Sequence, residues 1–184
     1  MRIQTSLALI LASTFLAGCS GIKTYRDSTI DGDSATLKIS AEANTFFDRE
    51  IYVHLYDFTM IQNGEACGQE GLISKNTIIK DNAYLGTIEA DSDDPSPTMN
   101  IPAKPLRAVA EFHDGTGNYS VINYIDVVFL AEPDTDYSIS YKRLETSSGR
   151  VVGDFYFKMK TPEGEKDIEK IAEFDPTICD QYLN

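Results

Sequence analysis

The chain of 184 residues has no tryptophan, two histidines and three cysteines, and no apolar run that approaches the roughly 20 residues needed to span a bilayer. So little histidine confines imidazole chemistry to His54 and His113. No Gly-x-Ser-x-Gly elbow occurs, which leaves a hydrolase route through an activated serine without local support. No Cys-x-x-Cys pair occurs either, so the usual spacing for a zinc site or redox dithiol is missing. Positive charge is short: 16 Lys+Arg stand against 29 Asp+Glu, a net charge of −13. Such a chain repels phosphate backbones and anionic lipid, which argues against nucleic acid and against electrostatic attachment to a membrane. The expectation from these absences is a protein that is not an enzyme and needs no cofactor.

What is present begins at the amino end. Arg2 supplies a positive charge, and Leu7 to Leu16 form a short apolar stretch of signal-peptide length. It runs into Leu16-Ala17-Gly18-Cys19, followed by Ser20-Gly21. This segment resembles the lipobox of bacterial lipoproteins. The resemblance implies removal of residues 1–18, diacylglycerol on the Cys19 sulfur and a further acyl chain such as palmitate on the new amino terminus. It also implies an outer-membrane address, because the residue after the cysteine is Ser20 and not aspartate. Membrane lipid is then the expected partner through Cys19. Two or three chains anchor firmly, since each buried methylene contributes about 0.8 kcal/mol and a single myristoyl chain binds only marginally. Among the charged residues only Arg2 lies in 1–18, so 15 Lys+Arg face 29 Asp+Glu in the mature chain, a net charge of −14.

With Cys19 consumed by lipid, Cys67 and Cys179 remain as an even pair in an oxidising compartment, and a disulfide between them is expected. In the chain-entropy model, closing so long a loop stabilises by roughly 4 to 5 kcal/mol. Free thiols or metal ligands are the alternative reading of the pair.

Residues 19–34 are polar and read as a lipidated tether, with the folded domain over 35–184. Ala35, Leu37, Ile39, Ala41 and Ala43 alternate with Thr36, Lys38, Ser40 and Glu42, the period of a half-buried strand. Similar patterns recur in Ile51 to Phe58, Tyr84 to Ala90, Leu106 to Phe112, Tyr119 to Leu130, Tyr137 to Tyr141 and Val151 to Lys160. Asn63-Gly64, the Asp91 to Pro97 stretch, Asp114 to Asn118, Glu132 to Thr135 and Ser147 to Gly149 read as turns or loops. Ile168, Ile171 and Ala172 have i, i+3, i+4 spacing, which predicts a short C-terminal helix. About seven strands with little helix predict an all-β protein, an antiparallel β-sandwich, with a closed barrel as runner-up.

Phe129 to Ile139, with Ile101-Pro102-Ala103 upstream and a cysteine near the C-terminus, resembles a group of small uncharacterised Gram-negative lipoproteins. That group carries a Glu-Pro-Gly turn where this chain has Glu132-Pro133-Asp134. The resemblance implies an immunoglobulin-like or transthyretin-like sandwich and no particular activity. Ile51 to Tyr56 and Val109 to Asp114 are also similar to two strands of the small outer-membrane lipoprotein of type VI secretion systems, which implies a role in secretion-system assembly.

Candidate sites are few. By alternation Tyr52, Tyr56, Tyr124 and Tyr156 fall off the apolar stripes and form a candidate surface for a sugar or a protein. The bland reading is that tyrosine simply suits strands, or that a loop or the tail covers it. His54 and His113 read as unrelated exposed strand residues. A shared metal with Asp114 would require their strands to be neighbours, and no metal site is expected. Asp31 with Asp33, and Asp91 with Asp93 and Asp94, offer oxygen ligands for calcium but read as solvated loops, because neither follows the EF-hand pattern. The expected function is a lipid-anchored envelope module that binds another envelope protein or a cell-wall ligand, with a hydrolase of envelope material as the competing class. A cleft in which either histidine meets a carboxylate or hydroxyl would favour the enzyme, and an exposed tyrosine patch without a cleft would favour the binding module.

Overall fold

A computed structural model of the chain describes residues 24–26, 30–41, 49–74, 77–79, 81–114, 120–145, 151–175 and 177–178. Alternating side chains build strands whose inner faces close on one another. In β1 (Ser34–Ala41), Ala35, Leu37 and Ile39 are buried while Lys38 is exposed. β2 (Arg49–Asp57) buries Ile51, Val53 and Leu55 in the same way. The remaining strands are β3 (Cys67–Ser74), β4 (Thr77–Ile79), β5 (Tyr84–Ala90), β6 (Thr98–Pro102), β7 (Pro105–Asp114), β8 (Ser120–Leu130), β9 (Asp136–Glu145), β10 (Val151–Thr161) and β11 (Gly164–Asp167). They form a five-stranded sheet in the order β11-β10-β9-β1-β6, a four-stranded sheet in the order β5-β2-β7-β8 and a β3-β4 ribbon. Pairing in the two large sheets is antiparallel except between β1 and β9, which run parallel.

The two large sheets enclose one core that draws on both, with Ile51, Leu55, Ala108 and Phe112 from one and Leu37, Ile39, Tyr141 and Phe157 from the other. Phe112 stacks on Tyr141 at 4.2 Å between ring centroids, and Phe129 meets Phe157 edge-on at 4.7 Å. Seven strands match those expected, and a barrel is ruled out by the two separate sheets. β3, β4, β6 and β11 were not expected. The turn over 133–134 is fastened by Tyr137, whose hydroxyl accepts from Glu132 N–H at 2.9 Å and donates to Leu130 O at 3.1 Å. Asp134 there takes φ 54°, the left-handed conformation suited to glycine and tolerated by aspartate.

Two expectations are corrected. The stretch before Ser34 does not hang free throughout its length. Thr24 bridges Thr87 in parallel, Tyr25 N–H donates to Thr87 O at 2.8 Å, and the Tyr25 ring lies in the core with its hydroxyl donating to Asn100 O at 2.8 Å. Gly86 makes this possible, because a Cβ there would stand 2.6 Å from the Tyr25 Cα. Nor do the described residues of the tail, 168–175 and 177–178, form a helix. β11 pairs back on β10, Ile168 packs against the main core, and Ile171 N–H donates to Val128 O at 3.0 Å on the edge of β8. A single helical turn left to itself is marginal in water, and pairing with sheet edges satisfies the same backbone groups.

The one α-helix among the described residues, α1 (Phe58–Gln62), starts at Asp57, whose carboxylate accepts from Thr59 and Met60 N–H and also pairs with Lys104 at 2.6 Å. Phe58 and Ile61 join Ala66, Ala83 and Val128 in a second small core, against which Ala172, Phe174 and Ile178 of the tail pack. No helix among the described residues is long and apolar enough to cross a membrane.

Candidate functional site

The outer face of the four-stranded sheet is divided in two. At one end α1 and the tail cover it, and there Arg107 lies 3.5 Å from the Phe174 ring centroid and 5.4 Å from that of Tyr56. Arg107 is also clamped to Asp126 by two bonds of 3.0 and 2.7 Å. The other half is partly exposed, with Tyr124 at 67%, Glu111 at 27%, His54 at 21% and His113 at 18%.

Strand register builds this partly exposed half. Tyr52 on β2 stands opposite Glu89 on β5 and Glu111 on β7, and Glu111 stands opposite Tyr124 on β8. His54 faces Thr87, and His113 follows Glu111 at the strand period. The side chains then converge. His113 Nε2 lies 2.9 Å from a Glu111 carboxylate oxygen, and His54 Nε2 lies 3.8 Å from the same oxygen. His54 Nδ1 lies 2.7 Å from the Thr87 hydroxyl, which is in turn bonded to the Tyr84 hydroxyl. The Tyr52 ring meets His113 edge-on at 5.0 Å and stacks with His54 at 6.4 Å, while its hydroxyl donates to Glu50. Tyr84 continues the line to Tyr56 at 5.2 Å.

Electrostatics separate the two carboxylates opposite Tyr52. Hydrogen bonding to His54, and then to His113, holds Glu111 down at about 2 against the burial that opposes ionisation. Burial raises Glu89 above the ordinary carboxylate range, with help from Glu50 and Asp91, while a bond to Tyr52 opposes the rise. Tyr56 and Tyr84 are raised, in each case chiefly by burial. Thr87 is 3% exposed, so an incoming carbonyl cannot reach its hydroxyl, and its bond to His54 orients the ring instead of creating a nucleophile. Among the described residues no three His, Cys, Asp or Glu side chains are placed to hold a metal. In the Asp91 loop the Asp91 carboxylate accepts from the Asp93 and Asp94 N–H groups at 2.8 Å each, so one carboxylate there is taken up by the turn.

The tyrosines named from the sequence do not form one patch. Tyr52, Tyr56 and Tyr124 share this face, with Tyr124 67% exposed and Tyr56 drawn under the tail end. Tyr156 pairs with Ser140 in the other sheet and contacts Lys142, so it belongs to a different face of the molecule. The reading of the histidines as unrelated is also corrected, since Glu111 joins them. Glu111, Thr87 and Tyr84 were missed because only cross-strand register brings them beside His54, and linear spacing carries no trace of it. Asp114 is described only in its backbone, Cys179 lies outside the described residues, and so does Cys19. A cleft of about 760 Å³ exists at the opposite end of β5, bordered by Arg26, Asn82, Leu85, Pro102 and Lys104. His54 and His113 do not line it. Comparison of the sequence with protein-family models and with curated proteins finds no match.

Proposed function

We propose that this chain is a cell-envelope lipoprotein, anchored through lipid on Cys19 at the outer membrane, that works by binding another envelope protein through the partly exposed half of the four-stranded sheet. The observation that carries the reading is the run of ring contacts through His113, Tyr52 and His54 on this half of the sheet face, with exposed Tyr124 beside it. Rigid aromatic side chains with polar tips are the residues that anchor protein contacts. A cell-wall ligand would use the same rings. A photoreactive phenylalanine analogue at position 124, activated in the intact envelope, should give a discrete crosslinked species, whereas the same analogue at position 156 should not. Equal labelling from both positions, or none from 124, overturns the assignment of the face.

Two finer features belong to the same proposal. The sandwich is of the transthyretin-like kind: in the immunoglobulin-like order the first two strands share a sheet, whereas β1 and β2 lie in opposite sheets here. That order also favours the secretion-system reading, whose two similar strings, Ile51 to Tyr56 and Val109 to Asp114, fall on the neighbouring strands β2 and β7. Under it the crosslinked partner is a component of a secretion complex. The second feature is the Cys67–Cys179 bridge. Cys67 is buried at 6% exposure, where a partner cysteine would have to reach it through the small core. Its neighbour Ala66 and the residue preceding Cys179, Ile178, belong to the same small core, which supports Cys179 as that partner.

A further inference from the structure

The register of the partly exposed half-face bears on what kind of partner suits it, an inference that rests on the face assigned above. Glu89, Tyr52, Glu111 and Tyr124 stand side by side in one row across β5, β2, β7 and β8, and Glu50 stands beside His113 in the next. With strands about 4.8 Å apart, the row runs roughly 14 Å and alternates carboxylate with phenol ring. Acid is in excess there. Arg107 is the only lysine or arginine of these four strands whose side chain is described, and Asp126 holds it at 2.7 Å in the covered half. Arg49, at the head of β2, is described only in its backbone. His54 and His113 both turn to Glu111. Among the described residues no such cation meets Glu50 or Glu89, which both draw on the one Tyr52 hydroxyl. Asp91, Asp93 and Asp94 follow directly from β5 and add to the excess.

Positive charge completes such a surface. Partial burial raises Glu89 above the ordinary carboxylate range and repulsion from Glu50 and Asp91 adds to the rise, so an incoming cation relieves the crowding. Phenol rings attract guanidinium and ammonium groups to their negative faces, and Tyr124 is exposed for that contact. The carboxylates are strung along a row, and among the described residues no three His, Cys, Asp or Glu side chains are placed to hold a metal, so the fit is to the spaced cations of a protein surface. A second copy docked by the same face would set these carboxylates against their own image, and phosphate-rich partners are repelled in the same way. We propose that this half-face receives a protein surface presenting arginine or lysine, with the cations against Glu50 and Glu89 and across the Tyr124 ring.

The test titrates the full chain at pH 7.5 with a fluorescein-labelled peptide of four Arg-Gly repeats and with its Glu-Gly counterpart. The arginine peptide should bind and the glutamate peptide should not; equal binding of the two, or none of the first, overturns the proposal. Glu50→Gln with Glu89→Gln should weaken the arginine peptide about fivefold or more, whereas Asp31→Asn with Asp33→Asn, an equal change of charge at exposed positions off this face, should alter it less than about twofold. Raising salt from about 50 to about 500 mM on the parent should weaken it about tenfold. Equal effects of the two pairs of substitutions report net charge alone and overturn the proposal, as does an affinity indifferent to salt. The crosslink from position 124 in the intact envelope separates this inference from the face assignment. In Glu50→Lys with Glu89→Lys it should fall to about a tenth of the parent yield. Parent yield in that variant overturns the cationic partner and leaves the face standing, whereas no crosslink from the parent removes both.

Discussion

Glu111 concentrates the chemistry of the partly exposed face in one carboxylate, and its effect on stability has a definite sign. Its folded value of about 2 lies below the ordinary 4.5, so its contribution is complete above pH 4.5 and is lost as the pH falls toward 2. The group is 27% exposed, which keeps the expected contribution at roughly 1 to 3 kcal/mol. Glu111→Gln should therefore lower the urea midpoint at pH 7 and leave only about a quarter of that difference from the parent at pH 2.5. An equal loss at both pH values would mean that packing, not ionisation, is what the carboxylate supplies. Gly86 is the second residue whose role is steric and exact in position. It has φ +143°, and an added Cβ would press on the Tyr25 backbone. Gly32 also has positive φ, at +98°, but nothing lies within 4 Å of an added Cβ. Gly86→Ala should thus cost about 2 to 4 kcal/mol, and Gly32→Ala about 1, read as the difference in melting temperature. Equal costs would show that the N-terminal docking contributes little.

At the scale of elements, alternation was legible wherever one face of a strand met the core and the other met water. β1, β2, β7 and β10 follow that rule closely. β6 escaped because Thr98–Pro102 is short, ends in proline and buries only Ile101 fully. β11 escaped because all four of its residues are exposed, so no pattern marks it. The tail failed for a different reason: Ile168 and Ala172 are both apolar because they serve two separate cores, a coincidence that reads as helical spacing. The tail's attachment makes a prediction of its own. If Cys67 and Cys179 are bridged, reduction should lower the melting temperature, by as much as about 4 to 5 kcal/mol of stability in the chain-entropy model. Non-reducing mass analysis should find neither cysteine alkylated, and two alkylatable thiols would refute the bridge. Phe174→Ala should cost about 1 kcal/mol through lost packing on Arg107.

For the whole molecule, a chain of net charge −13 has little to hold it on an anionic membrane except lipid. Cys19→Ala should move the protein to the soluble fraction, while a wash in 1 M salt should leave the parent on the membrane; release of the parent by salt would point to an electrostatic attachment instead. Strand periods and turn residues, being local, were enough by themselves to determine an all-β chain with its inner and outer positions, and the cysteine count limited the pairings. Which outer residues meet was a matter for tertiary structure alone. Side chains 59 residues apart, such as His54 and His113, share one carboxylate because β2 and β7 are neighbours, and strand neighbours follow from how apolar faces pack across the core, not from any spacing along the chain. The same packing separated Tyr156 from the other tyrosines and drew Tyr25 out of an apparently polar tether into the interior.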